Sequence, residues 1–524
     1  MVLGLVFFVL LSTLVVRGEG PLRDACVEEF HDVQLDHFGP YADADGEVLR
    51  LRFFLCKPNR RETAAETDLS RRSLFVYFGN EADVELYLNN TGLMWENAGE
   101  FHADLLFIEH RFYGKSTPEL GLTDALSLKY LSTEQALADF AQVIDFVQRR
   151  EYGAPRAVPA IGFGGSYGGM LGVFFKYKYG ASIDGVIAAS APIFTYVDED
   201  YDEYGFARIV TEDARKASLE CVETARASWE AMLETPPSEL GRLAGQLRWC
   251  NPAALETKED VRRAVDWLSS AWDMLAMGNY PWPSSYITGN EASPLPAWPV
   301  RAACDRLLAR RGHGEKEEDE EDEEKEEEEE EEENIIDAMV AAVGVFHNAS
   351  GVVECYSDPD GFDGLDGLWD YQYCVGDGFM PMGRNGKTDM FYDSAFSLID
   401  ETARCNATWG VVPDLSRGIV AFGGREILHH IENVVFSNGD LDPWTSGGVL
   451  PEHIPHHLRR ERDLSAVFIE GGAHHLDLFF SHDDDPTSVV DARTHERGKI
   501  RKWIDEFYSD ALVGDISASV YIEH

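Results

Sequence analysis

The stretch IGFGGSYGGMLGVFF, residues 161–175, sets a lone serine among glycines and follows it with an unbroken apolar run. Glycine adds almost nothing to a core, so its abundance here needs another cause. The preceding VPAIGF has the short apolar character of a buried strand, and GMLGVFFKYKY after it reads as a helix. Gly164-Gly165-Ser166-Tyr167-Gly168 is therefore a sharp strand-to-helix turn with Ser166 at its apex. Such a turn strains the backbone and crowds its neighbours, which calls for glycine two positions before and two after a serine whose hydroxyl is pushed out above a sheet. On this stretch alone, a glycine-rich turn without chemistry remains an alternative.

Outward from the serine, LRFFLCKP, SLFVYFG, ADLLFIEH and IDGVIAASAPI also read as strands, and TEQALADFAQVIDFVQRR, residues 133–150, has apolar positions at helical spacing. Strands alternating with helices imply a mostly parallel sheet covered on both faces. From Tyr201 to Arg425 the pattern changes to long amphipathic helices such as KEDVRRAVDWLSSAWDMLAM, and that block holds six of the eight cysteines. Strand signals return in ENVVFSNGD and LSAVFIEGG, and the helix-like ERGKIRKWIDEFYSDAL closes the chain. The expected organisation is one α/β domain in two parts, residues 27–200 and 426–512, interrupted by an inserted, disulfide-linked helical cap over 201–425.

A serine hydroxyl is a weak nucleophile until an imidazole takes its proton and a carboxylate orients that imidazole. Strand ENVVF leads into SNGDLDPWTSGG, which supplies Asp440 and Asp442, and SAVFIE leads into GGAHHLDL, which supplies His474 and His475. Serine, acid and base thus follow one another in the order of an α/β-hydrolase, the latter two on loops after strands. Each loop alone reads as an ordinary solvated turn. Together with the serine turn they point to a serine hydrolase on an α/β-hydrolase fold.

MVLGLVFFVLLSTLVVRGEG, residues 1–20, carries an apolar run too short to span a bilayer, followed by small and polar residues, and reads as a cleaved secretory signal. Eight cysteines beyond it, none in a C-x-x-C pair, favour disulfides in an oxidising compartment and leave 105 pairings open. Sequons at Asn89, Asn348 and Asn406 fit that route as glycosylation sites. Of the net charge of −49, the acidic low-complexity run 315–333 contributes 17 acids against 2 lysines and leaves −34 elsewhere. An excess of this size disfavours nucleic acid or an anionic membrane as partner, and the run itself reads as a solvated loop or fraying helix.

GGSYGGML, EHRFYGKS, NGDLDPWTSGGV and GAHHLDL resemble motifs of the lysosomal Pro-X carboxypeptidase and dipeptidyl peptidase II family of serine peptidases. The likeness runs from about residue 30 to 510 and fails over the acidic run and the two ends. It implies an α/β-hydrolase domain with a helical domain inserted over the active site, and no metal or organic cofactor. Carried over by motif, Ser166 is the nucleophile, Asp442 the acid and His474 the base. Asp440 is then a turn residue, and His475 lines the pocket. One oxyanion donor is the N–H of Tyr167, and the other comes from Gly79 or Asn80 in FVYFGNEAD, where Phe78 and Ala82 depart from the family's TGNEG. Glu109-His110-Arg111 is expected to form a buried polar network supporting the site. The resemblance pairs Cys221 with Cys304, Cys250 with Cys355 and Cys374 with Cys405, which leaves Cys26 for Cys56.

The implied substrates are short peptides with penultimate proline, or sometimes alanine, cut after that residue in an acyl-enzyme mechanism. Trp369, Asp370, Trp444 and His475 are the expected substrate-binding residues, with Asp370 in LWDYQYC as anchor for a substrate ammonium group. That stretch and Lys115 resemble the dipeptidyl peptidase branch. GFMPM resembles the carboxypeptidase branch, and Phe479 replaces an arginine the family tends to carry. The balance favours release of amino-terminal dipeptides. Removal of a carboxy-terminal residue after proline is the alternative, and an inactive α/β-hydrolase-like binding protein stands behind both. A lysosomal, endosomal or secreted location is expected, with no membrane partner after signal cleavage and with a homodimer left open.

Overall fold

The computed structural model describes residues 22–39, 48–58, 72–117, 128–198, 201–309 apart from 252 and 254, 323–356, and 367–521 apart from 379. The expected signal, residues 1–20, and the first part of the acidic run lie outside the described residues. From Glu323 the run continues into the helix Glu323–His347.

The main sheet has eight strands: β1 (Cys26–Gln34), β2 (Val48–Cys56), β3 (Ser73–Phe78), β4 (Ala103–Ile108), β5 (Ala160–Gly165), β6 (Gly185–Ala189), β9 (Val434–Gly439) and β10 (Leu464–Ile469), in the order β1-β2-β4-β3-β5-β6-β9-β10. Two-residue strands β7 (Arg384–Asn385) and β8 (Asp393–Ser394) form a separate ribbon. β2 runs antiparallel to both its neighbours, and every pairing from β4 to β10 is parallel. Strands β3, β4, β5, β6 and β9 are buried along their whole length, as expected where helices cover both faces. Alternate residues feed opposite layers: Val76, Phe78, Leu106 and Ile108 pack with the helices Thr133–Tyr152 and Tyr167–Tyr179, while Phe75, Tyr77, Leu105 and Phe107 pack with Val84–Asn90 and with Trp503 of Thr487–Tyr521. The chain has the α/β-hydrolase fold.

Between β6 and β9 the helices Gly205–Ala217, Leu219–Glu234, Lys258–Met277, Pro299–Ala309 and Glu323–His347 surround a second apolar cluster built on Trp229 and Trp272. Cys221–Cys304 and Cys250–Cys355 cross-link it. The later part of the inserted block divides. Leu368, Tyr371, Met380, Phe422 and Ile427 join the cluster on the sheet, whereas Met390, Phe391 and Tyr392, between Cys374 and Cys405, pack back into the helical bundle, so this stretch spans the two cores. Cys26–Cys56 joins directly opposed residues of β1 and β2. Each of these cross-links closes a loop of 30 to 105 residues, worth about 3–5 kcal/mol in a chain-entropy account.

Asn89 and Asn406 are exposed, whereas Asn348 is half-buried and accepts a hydrogen bond from Val353 N–H at 2.8 Å. Among the described residues no helix is long and apolar enough to cross a membrane.

Candidate active site

Ser166 follows the last residue of β5 with φ 57° and ψ −129°, a region costing a side-chain-bearing residue about 1–3 kcal/mol. Neighbouring strand and helix hold it there: its N–H donates to Ala189 O at 2.9 Å, and its carbonyl accepts from Met170 N–H at 3.1 Å. The glycines are the geometric consequence. A Cβ on Gly164 would lie 2.1 Å from Gly168 O, one on Gly168 would lie 2.8 Å from Phe78 O, and one on Gly165 would strike the His475 ring at 2.7 Å.

Asp442 caps the short turn Pro443–Gly447, accepting from Trp444 N–H at 3.1 Å, and is fully buried. His474 Nδ1 lies 3.0 Å from each of its carboxylate oxygens. Because a carboxylate only accepts, Nδ1 carries the hydrogen and Nε2 is left with a lone pair. The histidine backbone is gripped from the inserted block: its N–H donates to Met277 O at 3.2 Å, and its carbonyl accepts from the Tyr280 hydroxyl at 3.1 Å. Asp440 instead pairs with Lys216 at 2.7 Å and accepts from Gly471 N–H at 2.5 Å, as a turn residue does.

His475 adopts φ 40°, donates its N–H to Ser190 Oγ at 2.7 Å and packs against Tyr286 and Phe479. Burial, followed by the neighbouring His474, pushes its pKa well below the ordinary histidine value, so this ring is neutral. It lies against Gly165 at the base of the elbow.

Of the two expected sources for a second oxyanion donor, Gly79 is excluded, because its N–H already donates to Ile108 O at 2.9 Å. Asn80 remains. Its side-chain amide donates to Glu81 Oε2 at 2.8 Å, and its Oδ1 lies against Gly168.

Behind Tyr167 lies a buried polar network. His110 Nδ1–H donates to Arg111 O at 2.8 Å, so its Nε2 accepts from the Tyr167 hydroxyl at 3.3 Å. The same hydroxyl meets Thr133 Oγ1 at 2.9 Å and Gln372 Nε2 at 3.3 Å. Arg111 holds Asp139 with two contacts, 2.6 and 2.8 Å, and Glu109 accepts from Ser116 and Val84. All of Glu109, His110 and Arg111 are fully buried.

Trp369 stacks edge-on against Tyr167, with ring centres 5.2 Å apart. Trp444 meets Phe206 at 4.9 Å and donates Nε1–H to Met277 Sδ at 3.0 Å. Both rings are half-buried beside the elbow and the acid loop. Asp370, the expected ammonium anchor, already has two partners within the chain. One oxygen meets Arg404 at 2.8 Å and the other accepts from Trp409 Nε1–H at 2.6 Å, so the carboxylate is already neutralised across the Cys374–Cys405 link. A cavity of about 590 Å³ lined by Phe206, Trp267, Asp273, Met382, Arg384 and Arg404 opens on the helical side. Neither Ser166 nor His474 lines it, and Phe206, one of its walls, meets Trp444.

The sequence pattern gave no warning of Met277, Tyr280 or Glu81. Only the turn-rich MGNYPW after the helix Lys258–Met277 hinted that this segment ends at a special place.

A strained serine turn and a buried aspartate–imidazole pair are the elements that a serine-ester mechanism calls for. Residues 34–496 match the family model described as serine carboxypeptidase S28. The chain is 38% identical over 451 residues to lysosomal Pro-X carboxypeptidase of Homo sapiens, and equally to that of Pongo abelii, covering 84% of this chain and 82% of each relative. It is 33% identical over 494 residues to prolyl carboxy peptidase like protein 5 of Caenorhabditis elegans, covering 89% and 88%. With strand order, elbow and full-length similarity in agreement, the chain belongs to the serine carboxypeptidase S28 family.

Proposed function

We propose that this chain is a proline-directed serine carboxypeptidase, removing one carboxy-terminal residue after proline, with Ser166 as nucleophile, His474 as base and Asp442 as its orienting acid. Ser166 Oγ attacks the prolyl carbonyl while its proton passes to His474 Nε2, and Asp442 stabilises the resulting imidazolium. The oxyanion receives the N–H groups of Tyr167 and Asn80. His474 then gives its proton to the departing amine of the last residue. Water attacks the ester, yields its proton to His474, and Ser166 recovers a proton as the acid leaves. Trp369 and Trp444 supply flat apolar walls suited to a pyrrolidine ring.

The observation supporting this direction is the engagement of Asp370 by Arg404 and Trp409, which weakens the claim of that side chain to bind a substrate ammonium group. The names of the vertebrate relatives point the same way, and also support a lysosomal setting. The deciding experiment offers an amino-blocked X-Pro-Phe peptide and a free X-Pro reporter. Release of phenylalanine from the blocked peptide is expected. Cleavage of the free X-Pro reporter alone would establish a dipeptidyl peptidase instead.

A further inference from the structure

A second cavity, of about 280 Å³, lies where the helical bundle meets the catalytic domain. Its bundle side is built from the helix Gly205–Ala217, the turn after Lys258–Met277 and the start of Pro299–Ala309, and its catalytic side from the loops that follow β9 and β10. Asp213 and Asn279 are the buried polar part of this wall, only 2% and 5% exposed. Asn279 Nδ2–H donates to Asp213 Oδ2 at 3.2 Å, which leaves Oδ1 of each side chain with no hydrogen-bond partner among the described residues. Lys216, about one turn further along the helix, is taken by Asp440 Oδ2 at 2.7 Å. Two buried acceptors, one of them on a carboxylate, are costly until donors meet them, and a cationic donor meets them best. On the rim, Arg301 is exposed and forms no ion pair among the described residues. It stands in the first turn of its helix, where backbone N–H groups favour an anion. The space is roughly nine times the share of one water in the liquid, about 30 Å³, so a bridging water or a bare ion would fill little of it.

We propose that this cavity binds a free α-amino acid, its ammonium group on Asp213 Oδ1 and Asn279 Oδ1 and its carboxylate on Arg301 and the first N–H groups of Pro299–Ala309. An ammonium brings three N–H donors to the two waiting oxygens, and a guanidinium fork takes a carboxylate with two. Trp298, Val300 and Leu441 offer the ligand's side chain an apolar wall. The proposed reaction releases one molecule of this class per turnover. That link to the product rests on the carboxypeptidase reading above, whereas the site itself rests on Asp213, Asn279 and Arg301. Leu441 directly precedes Asp442, and Asn279 lies between Met277 and Tyr280, the two residues that hold the His474 backbone. A ligand seated here therefore bears on the segments carrying acid and base, and fastens the bundle to the catalytic domain.

The test titrates the full chain, its Ser166 blocked by fluorophosphonate, with alanine, leucine and phenylalanine and with the N-acetyl and amide derivatives of each, by calorimetry and thermal unfolding. Saturable binding of at least one free amino acid is expected, with Tm raised by a few degrees at about 100 times Kd. Either derivative should bind about 10- to 100-fold more weakly. Asp213→Asn should weaken the free amino acid by about tenfold or more, and Arg301→Gln should do the same while leaving the amide unaffected. Arg301 is exposed, so that variant tests the site even where Asp213→Asn fails to fold. No binding by any of the three, or equal binding in the wild type and both variants, overturns the proposal. So does a crystal grown with the ligand that shows only an ordered water between Asp213 and Asn279. Equal affinity for the amide, unchanged by Arg301→Gln, overturns the amino acid in favour of a simple amine. Binding that persists in an enzyme releasing no phenylalanine from blocked X-Pro-Phe supports the site and refutes the carboxypeptidase reading alone.

Discussion

Replacing Asp442 by asparagine tests the proton path most directly. The carboxylate is completely buried, accepts from Trp444 N–H at 3.1 Å, and faces His474 Nδ1 with both oxygens at 3.0 Å. Asparagine has the same shape but only one accepting oxygen. If that oxygen keeps Trp444 N–H, the new amide N–H points at Nδ1, which must then accept, and the imidazole hydrogen moves to Nε2. His474 in that tautomer cannot receive the Ser166 proton. Loss of orientation and of the charge facing the imidazolium together should lower kcat by about 10⁴, or roughly 5.5 kcal/mol of transition-state stabilisation. KM should change little, because Asp442 lies behind the histidine and touches no substrate. Steady-state kinetics on blocked X-Pro-Phe, paired with the rate of fluorophosphonate labelling, measure both quantities. A kcat within tenfold of wild type would refute this proton path.

Three further outcomes are expected. Alanine at Gly164 puts a methyl group 2.1 Å from the Gly168 carbonyl, so Gly164→Ala should cut the Ser166 labelling rate at least about 100-fold or abolish soluble expression; wild-type labelling and Tm together would contradict the elbow geometry. Asp370→Asn should leave cleavage of blocked X-Pro-Phe within about threefold, since its partners are Arg404 and Trp409, and a 100-fold loss confined to free-amine substrates would restore the anchor role. Burial pushes the Glu109 carboxyl up to about 7, and burial likewise raises Asp377 despite Arg417. Between the unfolded value of about 4.5 and pH 7 the folded chain therefore binds more protons than the unfolded one, and stability falls as pH rises, by at most about 3 kcal/mol for Glu109. Thermal unfolding should show a higher Tm at pH 5 than at pH 7.5, and the opposite order would show that these carboxyls do not dominate.

The parts of the site that are local in sequence were legible. A strand, glycines and a helix around Ser166 constrain one another within fifteen residues, and Asp442 and His474 each follow their own strand directly. Legibility stopped where a partner lies on another element. Gly79 is disqualified by Ile108 on β4, whose register no pattern in FVYFGNEAD reveals. Asp370 is paired with an arginine one helix later, brought near by a disulfide, a partner that nothing within LWDYQYC reveals. The inserted block read as uniformly helical and cysteine-rich, yet its later part divides, with Leu368–Met380 and Phe422–Ile431 on the sheet and Met390–Tyr392 in the bundle. Apolar residues at 368–431 have the same helical spacing whichever core they join, and periodicity cannot say which.

The contacts of Met277 and Tyr280 with the His474 backbone bind the two halves of the molecule into one working unit. A version trimmed to the sheet and its flanking helices would retain serine, aspartate and histidine and still leave the loop bearing the imidazole untethered. Grafting a foreign insert to alter substrate choice therefore has to reproduce this two-point fastening, and competence to hydrolyse should arise only after both regions have folded and docked.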